Sequence, residues 1–184
     1  MSAAAVRVGF IGVGSMGWPM ASRLLQAGHG VTACDAQPGQ AARFAKEAGG
    51  QAVSNGRELA RQSDVVITML PTSAIVEQVL QGSDGVLAGI QPGTVIIEMS
   101  SGVPAHTQRL ARAVAEAGGE LVDAPVSGGV PRARTGELAI MFGGEAATLE
   151  RVRPVLQAMG NLQQIDVIYA MTGGGRLTIE TANA

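Results

Sequence analysis

Cysteine is almost absent. Cys34 is the only one in 184 residues, so no internal disulfide can form and no second thiolate exists for a metal site, which points to a reducing compartment such as the cytoplasm. Histidine is scarce too: His29 and His106 lie far apart, without metal-ligand spacing, and no metal is expected. Lysine is represented by Lys46 alone among 13 basic side chains. Against 15 acidic groups they leave a formal net charge of −2, without the basic excess that a phosphate backbone attracts, so nucleic acid is not an expected partner. Long apolar runs are also missing. The first residues lack a basic n-region, and glycines at 9, 12, 14 and 17 interrupt the apolar stretch that follows, so neither a signal peptide nor a membrane span fits.

What the chain does have is apolar content, 46% against 15% charged, with 26 glycines. That composition excludes disorder, and the length suits one α/β domain. Short β-branched runs alternate with amphipathic stretches, the pattern of parallel strands joined by crossover helices. Strands are predicted at Val6 to Ile11, Val31 to Asp35, Val65 to Leu70, Thr94 to Met99, Leu121 to Ala124 and Leu138 to Phe142, with a weak one at Ala52 to Val53. Met16, Met20 and Leu24, like Leu110, Val114 and Ala117, fall at helical spacing on one face. Glycine closes these helices at Gly28, Gly49 and Gly118. Asn55 to Glu58 has the form of a capping box. Farther on, Ser127-Gly128-Gly129 is predicted as a loop, and Glu145 to Met159 as a helix that Pro154 kinks or restarts.

The first strand runs straight into Gly12-Val13-Gly14-Ser15-Met16-Gly17, which opens a helix. Each glycine serves a different purpose in this context. Gly12 makes the tight turn, Gly14 admits a pyrophosphate to the backbone, and Gly17 lets helix and strand pack closely. Asp35 lies 18 residues after Gly17, at the end of the second strand, where a carboxylate accepts from a ribose diol and repels a 2′-phosphate. NAD is therefore the expected cofactor ahead of NADP. The predicted class is α/β, a doubly wound, mostly parallel Rossmann-type sheet with helices on both faces. Residues 1–165 are taken as the NAD(P)-binding domain and 166–184 as a tail.

Three stretches resemble the β-hydroxyacid dehydrogenase family, the group of 3-hydroxyisobutyrate dehydrogenase. They are Gly9 to Ala21; Asp123-Ala124-Pro125-Val126-Ser127-Gly128-Gly129 followed by Gly136 to Gly144; and the strand ends Met69-Leu70-Pro71 and Glu98-Met99-Ser100-Ser101. The resemblance implies hydride transfer between a nicotinamide cofactor and a small 3-hydroxy acid or its semialdehyde. It assigns the carboxylate to Ser127, Gly128 and Gly129, and adds Leu70, Pro71 and Ser101 to the cofactor contacts Gly12, Val13, Gly14, Ser15, Met16, Gly17 and Asp35. It covers the family's N-terminal portion, and the all-α second domain is expected to be absent.

The pattern breaks at the family's catalytic lysine. Gly173, Gly175 and Asn183 fall in register with the motif that carries it, but Ile179 occupies the lysine position, and an aliphatic side chain moves no proton; a register shifted by one places Glu180 there instead. Lys46 lies in a helix stretch and reads as a solvated surface charge. Impaired turnover is the expectation, with a non-catalytic dinucleotide-binding or assembly module as the alternative. Arg132 and Arg134 read as solvated charges or as a carboxylate clamp, Arg151 and Arg153 as helix surface. An uncovered apolar Leu138 to Phe142 strand would leave self-association into a homo-oligomer open.

Overall fold

The computed structural model describes residues 5–168 and 179–180. Six strands form one parallel sheet: β1 (Arg7–Ile11), β2 (Gly30–Cys34), β3 (Gln51–Ala52), β4 (Val65–Thr68), β5 (Val95–Glu98) and β6 (Glu120–Asp123). Their order is β3-β2-β1-β4-β5-β6, so the winding reverses between β1 and β4. That reversal opens a crevice at the carboxyl edge of the sheet, the place where sheets of this type bind ligands.

Helices cover both faces: α1 (Gly17–Gln26), α2 (Gln40–Ala48), α3 (Gly56–Arg61), α4 (Ser73–Gln81), α5 (Pro104–Glu116), α6 (Gly129–Thr135) and α7 (Ala146–Met159). Because strand side chains alternate sides, nearly continuous apolar strands feed two cores. Val8, Phe10, Ile67, Ile97 and Met99 pack with Met20 and Leu24 of α1, Phe44 of α2 and Leu156 of α7. Ile11, Val66 and Ile96 pack on the opposite face with Leu59 of α3, Leu80 of α4 and Val114 of α5.

A second sheet begins where the first ends. It contains β7 (Val126–Ser127), β8 (Leu138–Phe142), β9 (Gly160–Ile168) and β10 (Ile179–Glu180), in the order β10-β9-β8-β7. The chain bends at Ala124-Pro125 while β8 stays alongside: Asp123 and Gly143 exchange backbone bonds, and Met141 N–H donates to Pro125 O at 3.0 Å. Proline at the bend gives up no needed donor, since only its carbonyl takes part.

Several expectations need correction. Ser127-Gly128-Gly129 is not a loop throughout: Ser127 ends β7 and Gly129 begins α6. Asp35 and Met99 lie just past their strands rather than within them. Pro154 sits inside an uninterrupted α7, because one lost amide is outweighed by the buried face of Leu149, Val152, Val155, Leu156 and Met159. Leu138, Ile140 and Phe142 are fully buried; α7 folds back over the sheet and covers the strand expected to be exposed. At Asn55 the box is modified: Asn55 Oδ1 accepts from Glu58 N at 2.9 Å, but the Glu58 carboxylate turns to Ser54. The limit set at residue 165 falls inside β9, and the described residues of 166–184 are strand. The rest of the Gly173 to Asn183 motif lies outside the described residues.

Candidate functional site

The sharp turn from β1 into α1 stands at the crevice, and its three glycines differ in what the protein asks of them. Gly12 has φ +95°, and a Cβ there would meet Met69 O at 2.3 Å. At Gly17 a Cβ would lie 1.8 Å from Gly12 O. Both are glycine because the fold leaves no room. Gly14 is exposed, and no atom of the described residues lies within 4 Å of where its Cβ would stand. Nothing among the described residues calls for a missing side chain there.

The same turn presents donors. Trp18 N–H bonds back to Gly14 O at 2.9 Å, while the N–H groups of Gly14, Ser15 and Met16 find no acceptor among the described residues. They stand at the start of a ten-residue helix with no acidic residue in its first turn, so unpaired N–H groups and the positive end of the helix dipole coincide. Such a place can hold an oxyanion. A cavity of about 480 Å³ extends from Gly14 and Ser15 along α1 past Trp18, with Arg23, Arg43 and Arg134 in its wall.

Asp35 is tied to the turn. Its Oδ2 accepts from Val13 N at 2.8 Å and its Oδ1 from Gln37 N at 2.8 Å, which fixes the carboxylate beside the turn. Gln40 completes the corner by donating to Val13 O at 2.7 Å. Residue type alone does not single out Gln40; only the fold brings α2 back to Val13. Between Asp35 and Gln40 no basic residue occurs, and the Arg43 guanidinium lies 4.9 Å from the centre of the Trp18 ring.

Leu70, Pro71 and Ser101 stand on the loops after β4 and β5, at the same edge as the glycine turn. Leu70 is half-buried, and Leu70 N–H donates to Ser100 Oγ at 2.8 Å. Behind them Glu98 and Asp123 form an in-register pair on neighbouring strands. Burial pushes both carboxyls up, Glu98 against the lowering effect of hydrogen bonds from Ser100 and Thr68.

The second turn starts from β6 and β7. Ser127 is exposed, paired through its backbone with Ala139. Gly128 has φ +128° and Gly129 φ +65°, two consecutive conformations that L side chains avoid. Ser127, Gly128 and Gly129 are all exposed, and a hydroxyl followed by two successive backbone N–H groups offers the donor types that a carboxylate uses. Arg132 and Arg134 are both exposed on α6, and the Arg132 chain folds over Gly128. Lys46 is exposed on α2. His29 is buried, with Nδ1 accepting from Val6 N at 3.2 Å, and His106 Nδ1 lies 3.3 Å from Glu77 on α4. Cys34 is buried, and burial raises its thiol pKa, as suits a small packing residue. Arg151 ties α7 to β6 through Glu120 and to Gly93 O, each at 2.6 Å. No described helix is long and apolar enough to cross a membrane.

With this geometry in place, residues 7–173 match the family described as the NAD binding domain of 6-phosphogluconate dehydrogenase. The chain is 44% identical over 155 residues to 2-(hydroxymethyl)glutarate dehydrogenase of Eubacterium barkeri, covering 84% of this chain and 51% of that protein. It is 42% identical over 153 residues to 3-hydroxyisobutyrate dehydrogenase of Pseudomonas aeruginosa, covering 83% and 51%. Among solved structures, Mycobacterium tuberculosis 3-hydroxyisobutyrate dehydrogenase with L-serine superposes with a TM-score of 0.80 at 38% identity, covering 85% of this chain and 53% of that one. The chain spans about half the length of the curated relatives it matches.

Proposed function

Because the chain belongs to the family of NAD binding domains of 6-phosphogluconate dehydrogenase, we propose that it is the nucleotide-binding part of a hydroxyacid dehydrogenase, with the Gly12 to Gly17 turn as its dinucleotide seat. Gly14 carries this reading. Its neighbours owe their glycines to the fold, whereas its own open side is explained by a ligand that comes close to the backbone. The N–H groups of Gly14, Ser15 and Met16 hold the diphosphate, and Leu70, Pro71 and Ser101 border the nicotinamide end.

NAD is preferred to NADP. The Asp35 side chain, fixed by Val13 and Gln37, accepts from a ribose diol and disfavours a phosphate on the 2′ oxygen, with no cation in residues 36–40 to offset it. At a separation of about 4 Å repulsion between like charges is worth on the order of 1 kcal/mol or more.

Ser127, Gly128 and Gly129 hold the carboxylate of a small 3-hydroxy acid or its semialdehyde, the substrate class suggested by the relatives' names. The bound nicotinamide supplies hydride chemistry; the chain's own residues orient the acid and limit its approach. The hydroxyl proton must be removed or returned, and Ile179 stands where the family resemblance puts the lysine for this, while Lys46 is exposed on α2. Turnover is therefore weak, down by about 10² to 10⁴. That same observation favours a second reading, a binding or assembly module without catalysis.

Calorimetric titration with NAD and NADP, paired with an assay on 3-hydroxyisobutyrate, tests the proposal. Tighter NAD binding with weak oxidation is expected. Binding without any turnover selects the module, and failure to bind either dinucleotide at millimolar concentration sinks both readings.

A further inference from the structure

Glu98, the last residue of β5, is 3% exposed, and a carboxyl in such a place costs desolvation that an apolar residue would avoid. Both of its oxygens are engaged. Oε1 accepts from Ser100 N at 2.6 Å and Oε2 from the Thr68 hydroxyl at 2.9 Å. Ser100 passes the connection on, since its Oγ accepts from Leu70 N at 2.8 Å. Thr68, Glu98, Ser100 and Leu70 thus form a chain that ties β4 to β5 beyond their last in-register pair, Thr68 with Glu98.

Leu70 and the residue before it form the wall under the first glycine turn. Met69 N–H donates to Ile11 O at 3.0 Å. A Cβ built on Gly12 would meet Met69 O at 2.3 Å and Leu70 Cδ2 at 3.0 Å, so the turn already sits against this wall. A shift of Leu70 is therefore transmitted to Gly12 by direct contact, because packed interiors do not absorb such shifts.

The geometry points to Glu98 as a positioning residue for dinucleotide binding: it sets Ser100, Ser100 sets Leu70, and Leu70 supports the Gly12 turn. This inference rests on the proposal that the turn seats a dinucleotide. Glu98 acts through its neighbours, and its contribution is to keep the carboxyl edge of β4 and β5 at a fixed height beside the turn.

The test uses the 184-residue chain, ¹⁵N-labelled, with Glu98→Met, Glu98→Gln, Ser100→Ala and the double variant Glu98→Met with Ser100→Ala. Amide hydrogen exchange at Leu70 and Gly12 is read without cofactor, and NAD affinity by calorimetry. Methionine keeps the length of the side chain but removes both acceptors and leaves the buried Ser100 N–H and Thr68 hydroxyl unpaired, so the melting temperature should fall while NAD Kd weakens about tenfold and Leu70 exchange quickens by a similar factor. Glutamine retains an acceptor for Ser100 N and should stay within about threefold of wild type. Ser100→Ala should reproduce the methionine variant, and the double variant should be no worse than either single one, as members of one chain require. If Glu98→Met fails to fold, Ser100→Ala alone decides.

Unchanged Leu70 and Gly12 exchange, or fully additive single effects, in a protein that binds NAD normally would overturn the role of Glu98 and leave the dinucleotide reading intact. A wild-type chain that binds no NAD overturns that reading and the cofactor role of Glu98 with it.

Discussion

Two glycine turns of this molecule look alike in sequence and are built on different principles. Gly12 to Gly17 leads from β1 into α1, and Ser127 to Gly129 leads from the end of β7 into α6. In the second turn both glycines are demanded by the backbone, at φ +128° and +65°. In the first, Gly12 is demanded by its φ of +95° and by contact, Gly17 by contact, and Gly14 by nothing among the described residues. A glycine that the fold needs says little about ligands; one that it does not need is informative. The first turn therefore carries the stronger functional inference.

Substitutions can break this comparison in order of their expected cost. Gly17→Ala forces a Cβ against backbone atoms, 1.8 Å from Gly12 O, and should destabilise by about 3 kcal/mol or more in urea denaturation. A loss below about 1 kcal/mol would show that α1 can slide away from β1. Gly128→Ala should cost about 1–2 kcal/mol for its left-handed backbone. The Arg132 side chain, 2.6 Å from that Cβ, is flexible and can move aside, so adding Arg132→Ala should recover little of the loss.

Gly14→Ala is the contrasting case. Its stability should stay within about 0.5 kcal/mol of wild type, while NAD Kd weakens about tenfold or more, equal to about 1.4 kcal/mol. An unchanged Kd would remove the distinction between the two turns. Ser127→Ala should cost about 1 kcal/mol in affinity for a hydroxy acid or semialdehyde and leave NAD affinity alone; equal losses of both would refute its assigned role.

The smallest effect concerns pH. Asp123 stands at the foot of the second turn with its carboxyl raised by burial. A raised folded-state pKa means that the folded chain holds the proton longer than the unfolded one. Its stability contribution is complete below the unfolded value of about 4 and is lost as pH rises through the folded value. Asp123→Asn should flatten that decline in denaturation midpoints followed from pH 4 upward. A variant profile parallel to wild type would show that Asp123 titrates alike in both states.

Much of the fold was legible because it rests on local chemistry. The apolar strands and the helix faces of Leu24 and Val114 follow from periodicity, and the helix stops at Gly28, Gly49 and Gly118 from the freedom of φ. The first turn was legible as a whole, since strand, glycines and helix are contiguous. What was not legible depends on partners remote in sequence. Nothing near Leu138 announces that α7 covers it, and nothing near Ser127 distinguishes a loop from a strand end that pairs with Ala139. Asp35 stands out by its spacing from the glycines, but its bonds to Val13 and Gln37 and the return of Gln40 to Val13 need β1, β2 and α2 side by side.

The sequence by itself determined the βαβ rhythm, the glycine turn with its acid and the lack of a lysine anywhere but position 46, because each is a matter of residue type and spacing along the chain. Only the tertiary structure decided that, of the three glycines in the first turn, Gly14 alone meets no demand from the described residues, that β8 is buried, and that Glu98 reaches Leu70 through Ser100. Those facts depend on which atoms meet across strands 30 residues apart, and steric fit between distant segments is not encoded in any local stretch.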